Sequence, residues 1–134
     1  MYQYDHKIRV RYGETDQMGT VYYGNYAAYY EAARVESLRD LGFIYREMEE
    51  KGIMLPVIEN HSYFMGPAHY DELITIRTRI PELPRVRIKF EYEVYNEKND
   101  LINTGNTILA FINRNTGVPT RPPKEIMDTL APFF

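Results

Sequence analysis

Several features are absent from this sequence of 134 residues, and each absence excludes a class of protein or site. There is no cysteine, which excludes disulfide bonds, a thiol nucleophile and a metal site built on thiolates. No run of about 18 apolar residues occurs, so no membrane-spanning helix is predicted. The formal net charge is only −3, which gives no reason to expect a general affinity for nucleic acid.

Motifs for several other kinds of site are also missing. The sequence contains no glycine-rich phosphate loop and no serine nucleophile elbow. Its three histidines, His6, His61 and His69, lack the spacing of metal ligands, so neither a metal nor a cofactor is expected. The first ten residues carry charges and lack the apolar run of a signal peptide. We therefore expect a cytoplasmic protein that forms one domain over residues 1–134.

The first third of the chain predicts a strand, a loop and a long helix. Apolar and polar residues alternate from Tyr2 to Tyr12, which is typical of a strand with one solvated face. A helix is predicted from about residue 25 to residue 41, with Asn25 as its N-cap and Gly42 after its last turn. A shorter helix should follow at residues 44–51.

The rest of the chain predicts a meander of strands. These are expected at residues 54–65, 73–80, 86–95 and 101–113, before a terminal helix at residues 123–130. The third strand alternates most regularly, and its predicted core-facing residues are Val86, Ile88, Phe90, Tyr92 and Val94. One long helix with antiparallel strands is an α+β layer architecture.

Asp16 lies on the turn-rich loop between the first strand and the long helix. A helix N-terminus presents unpaired N–H groups and a partial positive charge, so a carboxylate nearby is a candidate for chemistry. The alternative is structural, because aspartates in turns commonly bind the N–H groups of their own loop. These residues alone leave both interpretations open.

Residues 12–34, YGETDQMGTVYYGNYAAYYEAAR, resemble the opening motif of the hot-dog-fold acyl-CoA thioesterases. The similar branches are the 4-hydroxybenzoyl-CoA thioesterases and the bacterial thioesterases associated with the Tol-Pal system. Weaker matches are YFMGPA at residues 63–68 and RPPKEI at residues 121–126, so the resemblance spans nearly the whole chain. It implies a hot-dog fold, in which an antiparallel sheet wraps around one long helix.

The resemblance also implies acyl-CoA thioester hydrolysis with Asp16 as the catalytic carboxylate. Asp16 would either attack the thioester to give a mixed anhydride or deprotonate a water molecule, and both roles stay open. The backbone N–H of Tyr23 would polarise the thioester carbonyl. Many family members have histidine in place of Tyr23, so no role of that histidine transfers here. Glu31 is a reserve catalytic candidate, its alternative being an i,i+3 ion pair with Arg34.

The resemblance suggests which residues would bind each part of the substrate. The acyl group would meet Tyr22, Tyr23 and the long helix, with Gly24 also at the substrate, while the turn at Gly66 would approach the ligand or a second subunit. Coenzyme A is a polyanion, so its phosphates need basic side chains, for which a solvated surface is the alternative role. The candidates are Arg85, Arg87, Arg114, Arg121 and Lys124, with Lys89 beside them.

A chain this short encloses little acyl-CoA, so a homodimer or homotetramer is expected. Two other functions remain as alternatives. A hot-dog hydratase or dehydratase would use a histidine beside a carboxylate, and no histidine is close to Asp16 in the sequence. A non-catalytic module that binds acyl thioesters is the other, and an acyl-carrier-protein thioester could replace acyl-CoA as the substrate.

Overall fold

The computed structural model describes residues 1–134. Its elements are, in chain order, β1 (Tyr2–Arg9), α1 (Tyr26–Asp40), α2 (Tyr45–Glu50), β2 (Ile53–Met54), β3 (Val57–Phe64), β4 (Leu73–Ile80), β5 (Arg87–Tyr95), β6 (Leu101–Ala110), β7 (Ile112–Asn113) and α3 (Lys124–Leu130). Short 3-10 helices lie at Tyr12–Glu14, Tyr23–Asn25 and Ala131–Phe133. None of the helices combines the length and the apolar character needed to cross a membrane.

Five strands form one antiparallel sheet in the order β1-β4-β5-β6-β3, while β2 and β7 pair separately. The register places Tyr2 opposite Ile80 and Phe90 opposite Thr107. The two edges of the large sheet are therefore β1 and β3, and each has one side without a neighbouring strand. The same end of the sheet carries the loop after β1, the β3–β4 connection and the β5–β6 hairpin.

The core lies between α1 and the inner face of the sheet. The helix packs against β1 and β4, and its fully buried Tyr30 stacks on Tyr92 of β5 with ring centroids 4.2 Å apart. The Tyr30 hydroxyl also bonds with Ser62 on β3 and Asn103 on β6. A Cβ at Gly105 would collide with this hydroxyl, so glycine leaves room for it. α1 thus contacts all five strands of the sheet, as expected for a hot-dog fold.

The predicted elements are confirmed, with one strand shorter than predicted and two strands divided in two. β1 stops at Arg9, because the chain turns into a 3-10 helix at Tyr12–Glu14. Pro56 separates the predicted strand 54–65 into β2 and β3, as its missing N–H favours. The last predicted strand is also two strands, since β6 ends at Ala110 and the short β7 pairs with β2.

One predicted core residue is wrong. Val86 keeps 42% of its surface exposed, although Ile88, Phe90, Tyr92 and Val94 are buried as expected. It lies before the first residue of β5, where Arg85 N–H donates to the Arg87 carbonyl at 3.1 Å. Because this local bond turns the chain, the period-2 pattern does not extend to Val86.

Candidate active site

Asp16 opens a tight hairpin with a three-residue loop. Its N–H donates to the Thr20 carbonyl at 2.9 Å, and its carbonyl accepts from Gly19 N–H at 3.0 Å. Gly19 has φ +76°, the left-handed conformation that closes such loops. Asp16 Oδ1 accepts from Met18 N–H at 2.9 Å, as the structural interpretation predicts, but Oδ2 accepts no hydrogen bond within the chain. One carboxylate oxygen is therefore free to meet a ligand.

The chain entering α1 carries two unpaired backbone donors. Tyr22 has an extended backbone (φ −60°, ψ 131°) and Tyr23–Asn25 form one 3-10 turn. The N–H groups of Tyr23 and Gly24 have no acceptor, whereas those of Tyr22 and Asn25 on either side are bonded. Both residues with free N–H groups are exposed. Two adjacent donors at a helix start are suited to polarise a carbonyl oxygen.

Glu14 joins this turn to the Asp16 hairpin. Its carbonyl accepts from Tyr22 N–H at 2.9 Å and from Asn25 Nδ2 at 2.8 Å. Asn25 occupies the predicted N-cap position of α1, but its side chain makes no capping bond to the helix and instead holds Glu14. The Glu14 carboxylate in turn accepts from Arg11 N–H at 2.8 Å and from the Tyr29 hydroxyl at 3.0 Å. Sequence reasoning gave Glu14 no role.

The charge of Glu14 is stabilised by these donors. Burial raises the pKa of Glu14, but hydrogen bonds from Arg11 N–H, the Tyr29 hydroxyl and the Arg11 guanidinium outweigh it, so the pKa lies below its ordinary value. Burial and the same carboxylate raise the pKa of the Tyr29 phenol. At neutral pH the pair is therefore a carboxylate that accepts from a neutral phenol.

Aromatic rings surround the free N–H groups. The Tyr22 and Tyr23 rings lie 4.7 Å apart, and Tyr23 meets Phe64 of β3 at 6.3 Å. Phe64 also contacts Tyr26, at 5.4 Å, and was not predicted as a site residue. A Cβ on Gly24 would lie 2.7 Å from the Tyr22 ring, so glycine lets this ring cover the backbone. These exposed rings form an apolar surface suited to an acyl group.

The alternative role of Glu31, an ion pair with Arg34, does not occur in the structure. Arg34 is buried, and its guanidinium donates to the Tyr92 hydroxyl on β5 at 3.2 Å. The i,i+3 pair on α1 is instead Glu36 with Arg39, at 3.5 Å. Glu31 is exposed and makes no hydrogen bond to the Asp16 hairpin. It lines a cavity of about 230 Å³ together with Arg34.

The structure separates the predicted basic residues into groups. Arg85 and Arg87 line one groove of about 940 Å³, with Lys89 beside them and Met127 of α3 opposite. Lys124 lies one helical turn before Met127, and the exposed Arg121 precedes α3. Arg114 is elsewhere, since its guanidinium donates to the Glu49 carbonyl of α2 at 3.1 Å. The groove is thus the main basic concavity among the predicted residues.

The β3–β4 connection brings a histidine to the Asp16 hairpin. Gly66 N–H donates to the Ile102 carbonyl at 3.1 Å, and Gly66 lines a cavity of about 330 Å³ with His69 and Glu72. The backbone of His69 pairs with Thr20 of the hairpin. No histidine is near Asp16 in the sequence, but this pairing brings the backbone of His69 to the hairpin from a distant segment of the chain. No group of three or more His, Cys, Asp or Glu side chains could hold a metal ion.

The sequence of this chain is similar to those of known proteins. The sequence model of the thioesterase-like superfamily matches residues 10–130. The putative acyl-CoA thioesterase YneP of Bacillus subtilis (strain 168) is 39% identical over 95 residues, 71% of this chain and 69% of that protein. The acyl-CoA thioester hydrolase YbgC of Escherichia coli O6:H1 is 28% identical over 120 residues, 90% of each chain.

A solved structure shows the same fold. The DHNA-CoA thioesterase from Staphylococcus aureus superposes with a TM-score of 0.86 and 38% sequence identity. The alignment covers 90% of this chain and 81% of that one. The antiparallel sheet wrapped around α1 is thus shared with a protein of similar sequence over nearly the full length of this chain.

Proposed function

The chain belongs to the thioesterase-like superfamily, and from this premise we propose that it hydrolyses acyl-CoA thioesters at the Asp16 hairpin and the start of α1. The observation that carries the proposal is the pair of unpaired N–H groups on Tyr23 and Gly24. Such donors are useful where negative charge develops on an oxygen, as it does when a thioester carbonyl is attacked. The cytoplasmic location stays a prediction from the sequence.

The proposed reaction begins when the thioester carbonyl oxygen accepts from Tyr23 N–H. As a nucleophile, the free carboxylate oxygen of Asp16 adds to the carbonyl carbon, the C–S bond breaks and coenzyme A leaves as a thiolate. Water then hydrolyses the mixed anhydride, which releases the carboxylic acid and restores Asp16. As a general base, Asp16 instead takes a proton from the water that attacks the carbonyl directly. The contacts of Asp16 are compatible with either role.

A hydratase is a second candidate function, and one observation favours it. His69 pairs with the Asp16 hairpin, and its Nδ1 lies 3.6 Å from the Glu72 carboxylate. A histidine beside a carboxylate suits the addition of water to an unsaturated acyl group. Membership of the thioesterase-like superfamily favours hydrolysis. Hydrolysis also needs only the Asp16 carboxylate and the unpaired N–H groups, and no histidine.

A panel of acyl-CoA esters, assayed with a thiol reagent, tests the proposal. We expect release of free coenzyme A from at least one short aliphatic, long aliphatic or aromatic ester. No thiol release from any ester of the panel, or from the same acyl groups on acyl carrier protein, would contradict thioester hydrolysis.

We also propose that the active unit is a homo-oligomer joined at the edge strand β3. This strand pairs only with β6, so the other side of its backbone is unpaired. Its apolar side chains are unusually exposed, including Val57 (50%), Tyr63 (59%) and Phe64 (51%). An edge strand with this much exposed apolar surface can pair with a further strand, and β3 of a second copy of this chain can provide that strand. Phe64 would place that interface beside the Tyr23 ring.

Light scattering on the purified protein should give a mass of at least twice the 15.9 kDa of one chain. We expect Ile58→Lys, on the exposed edge, to shift the protein toward the monomer by placing a charge in the interface. Lys7→Glu on the exposed face of β1 is the control and should leave the mass unchanged. A wild-type mass of 15.9 kDa at micromolar concentration would contradict the oligomer.

Charge reversal in the basic groove should weaken binding of the nucleotide. Replacing Arg85 and Arg87 with Glu should raise KM for acyl-CoA and abolish its salt dependence, because electrostatic attraction to the phosphates is lost. Hydrolysis of a truncated thioester without the nucleotide should hardly change. If both substrates suffer equally, these arginines are structural and the nucleotide is held elsewhere.

A further inference from the structure

Glu14 is bonded to three segments of the candidate site, which are the chain leaving β1, the Tyr23–Asn25 turn and α1. Its carboxylate binds the chain leaving β1 through Arg11 N–H, and α1 through the Tyr29 hydroxyl. Its carbonyl binds both sides of the 3-10 turn, through Tyr22 N–H and the Asn25 side chain. The two unpaired N–H groups lie between those last two bonds, and Asp16 follows two residues after Glu14.

We propose that Glu14 is a positioning residue, which sets the distance between the Asp16 carboxylate and the unpaired N–H groups of Tyr23 and Gly24. This inference rests on the proposed function. Glu14 does not itself reach the substrate, because its carboxylate oxygens are occupied by Arg11 and Tyr29. The carboxylate bonds hold the backbone of Glu14 in place. The Glu14 carbonyl then fixes the Tyr23–Asn25 turn through its bonds to Tyr22 N–H and Asn25 Nδ2.

The Tyr29 hydroxyl and the Arg11 N–H hold Glu14 in place, and the ion pair with the Arg11 guanidinium contributes little. The Glu14 side chain is only 18% exposed, whereas that of Arg11 is 81% exposed. An ion pair with so exposed a partner contributes little, because water screens it. The bonds from Arg11 N–H and the Tyr29 hydroxyl are shorter than those from the guanidinium, and Tyr29 is buried, so these two bonds are expected to hold Glu14 in place.

Three variants separate these contributions. Glu14→Ala removes all carboxylate contacts and should lower kcat by about 10²-fold, as expected when reacting groups move by about 1 Å. KM for acyl-CoA should change little, since the basic groove is untouched. Glu14→Gln keeps an oxygen for Arg11 N–H and should lower kcat less. Arg11→Gln should leave kcat nearly unchanged, and so should the control Glu36→Gln, which removes a partly exposed carboxylate of α1.

A double-mutant cycle tests whether Tyr29 acts through Glu14. Tyr29→Phe removes the hydroxyl donor and should lower kcat on its own. In the Glu14→Ala background the same change should have no further effect, because the bond is already absent. Fully additive losses would show that the two residues act independently and would contradict the proposed path.

Hydrogen exchange provides a readout that does not depend on activity. The Tyr22 N–H, which donates to the Glu14 carbonyl, should exchange faster in Glu14→Ala, while the amides of β4 and β5 keep their protection. If neither Tyr22 exchange nor kcat changes, Glu14 has no positioning role. If exchange at Tyr22 and throughout the sheet rises equally, Glu14 only stabilises the fold. Faster Tyr22 exchange in a protein with no thioesterase activity would support the positioning and contradict only the proposed function.

Discussion

Asp16→Asn should fold normally and lose at least about 10²-fold in kcat on acyl-CoA. Asparagine keeps an oxygen that can accept from Met18 N–H, so the hairpin is expected to stay closed. It lacks the negative charge needed to attack a carbonyl or to take a proton from water. KM should change little, because the proposed nucleotide site is the basic groove and not the hairpin. Steady-state thiol release measures both constants, and circular dichroism checks the fold.

Glu31→Gln is the matched control for this experiment. Glu31 is also a carboxylate near the start of α1, but it has no bond to the Asp16 hairpin. We expect the Glu31 variant to retain most of the wild-type kcat. Near-normal turnover of a folded Asp16→Asn variant, together with a large loss in Glu31→Gln, would move the catalytic role to the helix and contradict the assignment.

Tyr23→Pro should have the second large effect, because it deletes the N–H proposed to bind the carbonyl oxygen. Proline is tolerated at the first position of a helical turn, and Tyr23 opens the Tyr23–Asn25 turn. The preceding Tyr22 already has the extended backbone that a following proline requires. Since the deleted N–H has no acceptor in the chain, the fold should lose no hydrogen bond. Removing one such donor is expected to lower kcat by about 10²–10³-fold.

Tyr23→Phe distinguishes the backbone from the side chain. This variant keeps the N–H and the ring and loses only the hydroxyl, so it should retain near-normal kcat. If Tyr23→Phe is as impaired as Tyr23→Pro, the phenol is the functional group and the backbone assignment is wrong. A folded Tyr23→Pro variant with normal kcat would move the carbonyl contact to Gly24 N–H or away from this turn.

The elements of the fold were predictable because local signals mark their limits. Gly42 and Gly52 follow α1 and α2 with φ of +93° and +91°, conformations that few other residues adopt. The alternation of Ile74, Ile76 and Ile80 set the inward face of β4. The strand order could not be derived in this way, because period-2 patterns show which face is buried and not which strand is the neighbour.

The candidate site was only partly predictable, because sequence patterns do not show which distant segments are in contact. Asp16 and Tyr23 could be proposed from the sequence because they lie in one contiguous motif that resembles a known family. Phe64 and His69 reach the site through the β3–β4 connection, a long-range contact that spacing does not show. Arg34 was assigned a helical partner, but Tyr92 on β5 takes its hydrogen bond inside the core. The contacts of Glu14 could not be predicted because they join three separate segments of the chain.

Mass spectrometry of the products formed from one acyl-CoA ester tests the central claim most directly, with an α,β-unsaturated ester as substrate. We expect equal amounts of free coenzyme A and free carboxylic acid from the wild-type protein, and neither above background from Asp16→Asn. An intact thioester heavier by one water would contradict it in favour of a hydratase. An ester that is bound but chemically unchanged would contradict it in favour of a binding module.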